Sequence, residues 1–486
     1  MALCSVTAGL IKHPRTTALK REEPHMRIPI QFGTSGICGI VGTDITEDVC
    51  ARVGVALGTF LGNGTRVCLA RDSRLSGPVV AGWLSEGLVA AGLDVVDYGM
   101  VPTPVLAALT RMGGHDAGVM VTASHNPPGY NGIKLFSRAG IGFSPQQERA
   151  IEVLCDIGEH ASGLGHVIPC GDVLELYMQC LPREVIDAAA RSNVRMLLDP
   201  GNGAASGFVR QVYERLGIGV DVVNDTPDGT FPGRGPETGG SVLGATVKAM
   251  SVSECGLAAC FDADANRVVF CDREGFLGLD EMVAWVAHCR VLESGKKCLA
   301  TTVETGLLPE HALREIEGDV VRGVVGDVAV AHLAQQMDAA LGAESVGVYI
   351  FPDVGLYPDS ILGSLYVLGG CARSTDIRRF VASLPAVSLV KRQVPCSLCV
   401  KDRVMEVLAA NPDELAGQTS YVNVNVTDGV RIEWEDSWLL VRPSGTEPVI
   451  RVTVEGTHAG DVARDIAVAV ASVEKLVAKE SVAGES

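Results

Sequence analysis

The chain has 486 residues, too many for one hydrophobic core and enough for about three or four domains of ordinary size. Its composition, 47% hydrophobic and 20% charged, is that of a soluble globular protein, and no apolar run reaches the roughly 18 to 20 residues of a membrane helix. A net charge of −18 argues against a nucleic-acid surface, which needs a basic patch, but leaves room for a small anion held by a local basic pocket or a bound cation.

Residues 1–25 read as a disordered tail, or as sequence upstream of a start at Met26. An apolar opening precedes a basic cluster (Lys12, His13, Arg15, Lys20, Arg21), the reverse of a secretory signal, so a cytoplasmic protein is expected. The 15 cysteines are scattered through apolar segments such as 258–261, which suits buried reduced thiols. The one Cys-x-x-Cys, Cys396 and Cys399, lacks the second pair or thioredoxin-like context of a metal or redox site.

From residue 28 onward strand, turn and helix patterns alternate. Residues 49–61, 77–91 and 104–112 have helical period, and 66–70, 94–98 and 118–121 read as strands. The cycle repeats with a strand at 195–199, a helix to 216 and a strand at 220–223, and again between 279 and 368 with strands near 298–303 and 347–351. The end of the chain differs: 421–426, 429–434, 438–441 and 451–455 alternate like antiparallel strands before a helix at 461–478. The expected architecture is three similar α/β mixed-sheet domains (26–170, 171–278, 279–385) and a C-terminal α+β domain (386–486) around a central cleft.

Three stretches carry chemistry. The first is Thr122-Ala123-Ser124-His125-Asn126-Pro127-Pro128-Gly129-Tyr130-Asn131-Gly132-Ile133-Lys134, where a buried strand gives way to a turn-rich loop. Ligands of open α/β sheets bind beyond the carboxyl ends of the strands, so Ser124 is sited to react with a ligand or hold one. Taken alone, a serine there equally caps a helix or bonds the local backbone. The second stretch is Asp262-Ala263-Asp264-Ala265-Asn266-Arg267. Oxygen-bearing side chains at i, i+2 and i+4 on a tight loop converge on one hard cation, and magnesium takes few protein oxygens plus phosphate and water. The plain alternative is a solvated acidic turn. The third, Arg442-Pro443-Ser444-Gly445-Thr446-Glu447-Pro448, offers a guanidinium, two hydroxyls and open backbone N–H groups, the parts of a phosphate cradle.

The first string resembles the active-serine loop of the α-D-phosphohexomutases, the family of phosphomannomutase, phosphoglucomutase and phosphoglucosamine mutase, whose serine carries a phosphoryl group to the sugar. The second resembles that family's metal loop, Asp-x-Asp-x-Asp-Arg, with Asn266 at the third aspartate. The third matches its phosphate-binding loop. Asp199-Pro200-Gly201-Asn202-Gly203-Ala204 and the run from Thr226 to Arg234 are further marks, and the resemblance spans residues 28–473. It implies an intramolecular phosphotransferase that interconverts hexose 6-phosphate and hexose 1-phosphate (glucosamine, mannose or glucose) through a phosphoserine and a bisphosphate. By that resemblance Ser124, Asp262, Asp264 and Asn266 would hold Mg2+, and hexose 1,6-bisphosphate would prime the serine. His125 would orient the loop, Lys134 and Arg267 would assist the transferring group, and Arg442, Ser444, Gly445 and Thr446 would grip the other phosphate.

Several positions depart from the family pattern. The arginine of the opening loop Phe32-Gly33-Thr34-Ser35-Gly36-Ile37-Cys38-Gly39 is Cys38, and Val-Gly-Asp-Arg (or Lys) is Val325-Gly326-Asp327-Val328. The sugar-contacting loop, Gly-Glu-x-Ser-Gly-His in the family, keeps Glu344 for a sugar hydroxyl when aligned on Ile350-Phe351-Pro352, and its serine and histidine become Val346 and Val348. Sliding by one residue restores Ser345 and loses the glutamate. These departures frame an alternative, a paralogue that binds a sugar phosphate with little or no turnover, and a third reading, a mutase for an unusual substrate. A small sugar phosphate is the expected partner; which hexose it is, and the oligomeric state, are not written in the sequence.

Overall fold

Fully buried apolar runs and half-buried alternating ones sort the described residues into four sheets. The computed structural model describes residues 29–484 apart from 34–35, 63, 159–162, 372, 374, 417–419 and 446, so the expected tail at 1–25, Thr34, Ser35 and Thr446 lie outside the described residues.

The first sheet comprises β1 (Ile37–Ile40), β2 (Arg66–Arg71), β3 (Asp94–Met100), β4 (Ala117–Val121), β5 (Tyr130–Ser137) and β6 (Val167–Pro169), in the order β1-β5-β4-β2-β3-β6. β4, β2, β3 and β6 pair in parallel, as the strand–helix alternation predicts, and β5 and β1 add antiparallel at one edge. β4 is buried at every position because its alternate residues enter different cores. Val119 and Val121 pack with helices Glu47–Leu61 and Gly77–Ala90, and Met120 packs with helix Thr103–Met112.

β5 departs from the expected loop. Asn131-Gly132 signals a turn in the sequence, yet it marks a close approach of strands. A Cβ on Gly132 would lie 2.4 Å from the Ile37 carbonyl oxygen and 2.7 Å from that of Thr122, so only glycine lets β1, β5 and the end of β4 meet. Lys134 consequently sits on a strand, opposite Met120.

The second sheet comprises β7 (Met196–Asp199), β8 (Val220–Val222), β9 (Leu257–Phe261), β10 (Val268–Asp272) and β11 (Gly275–Phe276), in the order β11-β10-β9-β7-β8. The acidic string 262–267 is the turn of the antiparallel β9–β10 hairpin. The third sheet comprises β12 (Cys298–Thr302), β13 (Asp319–Gly323), β14 (Leu341–Glu344) and β15 (Val348–Ile350), in the order β13-β12-β14-β15. Its β14–β15 hairpin ends at the pair Glu344↔Val348. The fourth sheet is wholly antiparallel: β16 (Ser388–Pro395), β17 (Asn423–Asn425), β18 (Val430–Glu433), β19 (Ser437–Pro443) and β20 (Val449–Gly456), in the order β16-β20-β19-β18-β17. Three mixed α/β units and a C-terminal α+β unit are thus present as expected, with β16 an additional strand.

One apolar cluster joins the first three units, running from Tyr98 and Met120 through Leu257 and Phe270 to Leu341 and Tyr349. Helix Ser360–Gly370 lies within it and is buried from Ser360 to Leu368, as a helix apolar all round must be. The fourth unit has its own core, built by Val441, Val452, Val404 and Val473. No helix among the described residues is long and apolar enough to cross a membrane.

Candidate active site

The end of β4 delivers Ser124 in a left-handed conformation, φ +46°. A non-glycine residue there costs about 1–2 kcal/mol, so its surroundings must impose it. The Ser124 N–H donates to Thr122 Oγ1 (2.9 Å), and that hydroxyl donates to Asp72 Oδ2 (2.6 Å). On the other side Arg74 Nη2 donates to the carbonyls of Ser124 (2.7 Å) and Asn126 (2.6 Å), and Nη1 to those of Pro127 (2.6 Å) and Tyr130 (3.0 Å). Arg74 Nε closes an ion pair with Asp72 Oδ2 at 3.1 Å. Burial pushes the Asp72 carboxyl up to about 6 even though Arg74 and Thr122 oppose it. Thr122 opens the serine string quoted from the sequence, but neither Asp72 nor Arg74 is singled out there. The one signal for that pair is position: Asp72-Ser73-Arg74 follows β2, the parallel neighbour of β4, at the same sheet end.

The serine hydroxyl reaches the second unit, where Ser124 Oγ donates to Asp262 Oδ2 at 2.9 Å. Asp262 Oδ1 accepts from the Arg267 N–H (2.9 Å). Asp264 Oδ2 accepts from Thr103 Oγ1 (2.8 Å) and from Lys134 Nζ (2.9 Å), while its Oδ1 is buried without a hydrogen-bond partner. Burial, with the charge of Asp264 added, pushes Asp262 up to about 7. Burial works upward on Asp264 as well, but the Lys134 ammonium outweighs it and holds that carboxyl well below the usual range. Asn266 turns its Nδ2 to Asp327 Oδ2 (3.2 Å).

These donors fit a small hard cation. Asp262 and Asp264 are fully buried, the orphaned Asp264 Oδ1 lacks a positive partner, and the Asn266 amide oxygen is the atom not spent on Asp327. Among the described residues no three His, Cys, Asp or Glu side chains could enclose a metal, so the set depends on the amide and on oxygen at Ser124.

The further marks buttress this loop. Arg234 Nε pairs with Asp199 Oδ2 (3.0 Å), Asn202 Nδ2 donates to the Thr226 carbonyl (2.9 Å), and the Ala204 N–H donates to the Ala263 carbonyl (2.7 Å). A Cβ on Gly203 would lie 2.4 Å from that same carbonyl oxygen.

Ser124, Lys134, Asn266, Arg267 and Glu344 line one cavity of about 470 Å³, a volume suited to a small ligand. Glu344 Oε1 accepts from the Gly326 N–H (2.9 Å), and burial, then the charge of Asp327, pushes its carboxyl up to about 7. The β14–β15 turn, with Gly347 at φ +89°, brings both Glu344 and Ser345 to the cavity. Ser345 Oγ is spent on Asp280, with Thr305 Oγ1 3.2 Å away. Val346 and Val348 also line the cavity and pack with Val328, Ile141 and Val330. Cys38, on β1, is exposed and accepts from Asn126 Nδ2 at 3.5 Å.

Arg442 lines a neighbouring cavity of about 510 Å³ with Lys391, Arg392 and Arg451; both cavities share Glu304, Lys391, Trp438 and Thr453. Its Nε donates to Asp428 Oδ1 (2.9 Å) and its Nη1 to Glu304 Oε1 (3.1 Å). Ser444 is buried, and its hydroxyl accepts from the Glu447 N–H (3.2 Å); Gly445 is open on its Cβ side. His125, expected to orient the serine loop, has a buried Nδ1 with no hydrogen-bond partner among the described residues. The hydrogen bonds that the backbone of that loop receives from or gives to side chains include those of Arg74 and Thr122. Burial, reinforced by Arg267, pushes the His125 imidazole down to about 4.

Four domain descriptions of one family match the chain: phosphoglucomutase/phosphomannomutase alpha/beta/alpha domain I over residues 29–160, domain II over 175–275, domain III over 280–387 and the C-terminal domain over 399–473. The chain belongs to the phosphoglucomutase/phosphomannomutase family. It is an isomerase of that family. The "Probable phosphoglucosamine mutase" of Methanopyrus kandleri is 37% identical over 430 residues, covering 87% of this chain and 93% of the relative. That of Pyrococcus horikoshii is 34% identical over 455 residues, covering 92% and 98%. Among solved structures, a phosphoglucomutase/phosphomannomutase family protein from Burkholderia thailandensis superposes with a TM-score of 0.81 at 26% identity, covering 92% of this chain and 97% of that one. The fold is also shared with Aspergillus fumigatus N-acetylphosphoglucosamine mutase, solved in complex with GlcNAc-6P and magnesium: TM-score 0.58, 16% identity, 92% and 96% coverage.

Proposed function

We propose that this phosphohexomutase interconverts a hexose 6-phosphate and the 1-phosphate through a phosphoserine at Ser124, with glucosamine as the preferred sugar. The observation that carries the reading is the Ser124 hydroxyl on the cavity wall, 2.9 Å from Asp262 Oδ2, with the Lys134–Asp264 pair beside it. The names of the archaeal relatives support the amino sugar. So does the wall itself, where Asp280, Glu304, Asp327, Glu344 and Glu455 outnumber Lys134, Arg267 and Lys391, a balance suited to an ammonium-bearing sugar.

In the forward transfer the bond between Ser124 Oγ and phosphorus breaks as a bond from the sugar hydroxyl forms. The hydroxyl proton passes to Glu344, whose raised carboxyl suits an acceptor near neutral pH. Ser124 Oγ, left with the bond electrons, takes up a proton from water; the bisphosphate then turns, Ser124 Oγ gives that proton up as it accepts the other phosphoryl, and the released sugar oxygen takes the proton held by Glu344. Such transfer is mostly positioning and charge neutralisation. Lys134 and Arg267 neutralise the moving group, Arg442, Ser444, Gly445 and Thr446 grip the resting phosphate, and His125, its ring uncharged, orients the serine loop. Asp262, Asp264 and Asn266 would hold magnesium, which when bound supplies positive charge beside the phosphoserine.

A second reading draws on one observation, the apolar packing of Val328, Val346 and Val348 where the family carries polar or charged side chains. It makes the chain a sugar-phosphate binder with little turnover. Assaying the primed, magnesium-supplied protein on glucosamine, mannose and glucose 6-phosphates separates the two. Turnover highest on glucosamine 6-phosphate is expected; binding of all three without conversion would favour the second reading.

A further inference from the structure

We propose that Arg74 is a positioning residue for the reaction at Ser124, fixing the serine loop by its backbone; this rests on Ser124 being the phosphoryl carrier. A guanidinium has five N–H donors, and here each has an acceptor: Asp72 Oδ2 and the carbonyls of Ser124, Asn126, Pro127 and Tyr130. Those carbonyls converge on one buried point, which neither a strand nor a helix allows. The planar fork therefore dictates the loop's path rather than following it.

The arrangement also closes a ring around the serine. The Ser124 N–H reaches Asp72 through the Thr122 hydroxyl, and the Ser124 carbonyl reaches Asp72 through Arg74. Both peptide groups flanking Ser124 are thus tied to one buried carboxylate, which accounts for a left-handed residue that has no glycine to permit it. Held so, Oγ faces Asp262. Because every donor is spent within the protein, Arg74 has none for the substrate phosphate and acts through the loop alone. The second unit seals it from outside. The Phe231 ring lies 5.3 Å from the guanidinium carbon, and a Cβ on Gly229 would fall 2.7 Å from the Arg74 Cα.

The test compares parent and Arg74→Lys, each phosphorylated beforehand with hexose 1,6-bisphosphate so that failed priming is not read as slow chemistry. Lysine keeps the charge, but its three donors cannot serve four carbonyls and a carboxylate. The expected result is a kcat lowered about 100-fold, the order of loss that follows a misplacement of about 1 Å, with KM within about twofold of the parent. Amide hydrogen exchange over residues 122–130 should quicken while the rest of the first sheet keeps its protection. A folded Arg74→Lys protein with parental kcat and parental exchange overturns the proposal. Should that variant not fold, Thr122→Val keeps the Arg74–Asp72 pair and cuts the ring on its other side. It should show the same two changes, and parental values for both overturn the proposal equally. If Ser124 of the parent takes up no phosphate, the phosphoserine reading fails separately, and the exchange comparison still decides whether Arg74 holds the loop.

Discussion

Asn266 donates its amide N–H to the Asp327 carboxylate at 3.2 Å, so the residue that replaces a family aspartate is oriented by a carboxylate from the third unit. The pairing keeps negative charge near the candidate cation site while leaving only an amide oxygen to face it.

This changes what restoring the aspartate should do. Asn266→Asp alone sets two carboxylates against each other and should leave magnesium affinity close to the parent's. Asn266→Asp with Asp327→Asn keeps the hydrogen bond, supplies a third carboxylate ligand, and should tighten binding by about tenfold, the order expected when a charged ligand replaces a neutral one. Magnesium titration by calorimetry checks this without activity; equal affinity in the single and double variants would contradict it.

The two cation positions lost from the family pattern are not equivalent. Cys38 is exposed beside Asn126, whereas Val328 packs in an apolar cluster, where a Cβ on Gly142 would fall 2.6 Å from its Cγ2. Cys38→Arg should raise kcat several-fold with little change in KM, because a preplaced donor acts on the transition state. Val328→Arg buries a charge among valines and should lower the melting temperature instead. Steady-state kinetics and thermal melts of the two variants decide the matter.

Arg442 is engaged by Asp428 and Glu304, so an incoming phosphate must displace carboxylates. Arg442→Lys cannot offer a planar fork and should raise KM for the sugar phosphate about tenfold with a smaller effect on kcat. Unchanged kinetics would assign the Arg442–Pro448 turn a structural role.

Burial raises Asp72 to about 6 and Asp262 and Glu344 to about 7. A group with a raised folded-state pKa contributes stability that is present below its unfolded value, near 4, and lost as pH rises through the folded value. The cation-free protein should therefore lose melting temperature between about pH 4.5 and 7.5, the three carboxyls outweighing His125, whose lowered pKa works the other way up to about pH 6.5. Asp264, whose pKa is depressed, contributes across that whole window and loses its effect only in stronger acid. Magnesium, favouring the ionised carboxylates, should flatten the decline; melts with and without it across that range are the check.

The strand–helix alternation and the three loops were legible because hydrophobic period and turn chemistry are local. What escaped depends on distant partners. Gly132 looks like a turn residue until β1 is laid against it. Arg74 is passed over because four of its five acceptors are backbone carbonyls about the serine, 50 and more residues downstream, and carbonyls have no sequence signature. Asp327 becomes part of the site only when the fold brings it to Asn266, 61 residues away. β16 escaped because it is mostly exposed and carries Lys391 and Arg392 side by side, which blurs the period-two pattern. The two registers possible for the sugar loop also needed the fold, since the β14–β15 turn brings Glu344 and Ser345 to the same cavity.

The central claim is that Ser124 carries the phosphoryl group, and mass spectrometry of the protein incubated with glucose 1,6-bisphosphate and magnesium tests it most directly. One phosphoryl group mapped to Ser124, lost on chasing with a hexose 6-phosphate and absent from Ser124→Ala, is the predicted result. Phosphate on another residue, or none together with undiminished turnover in Ser124→Ala, would contradict it.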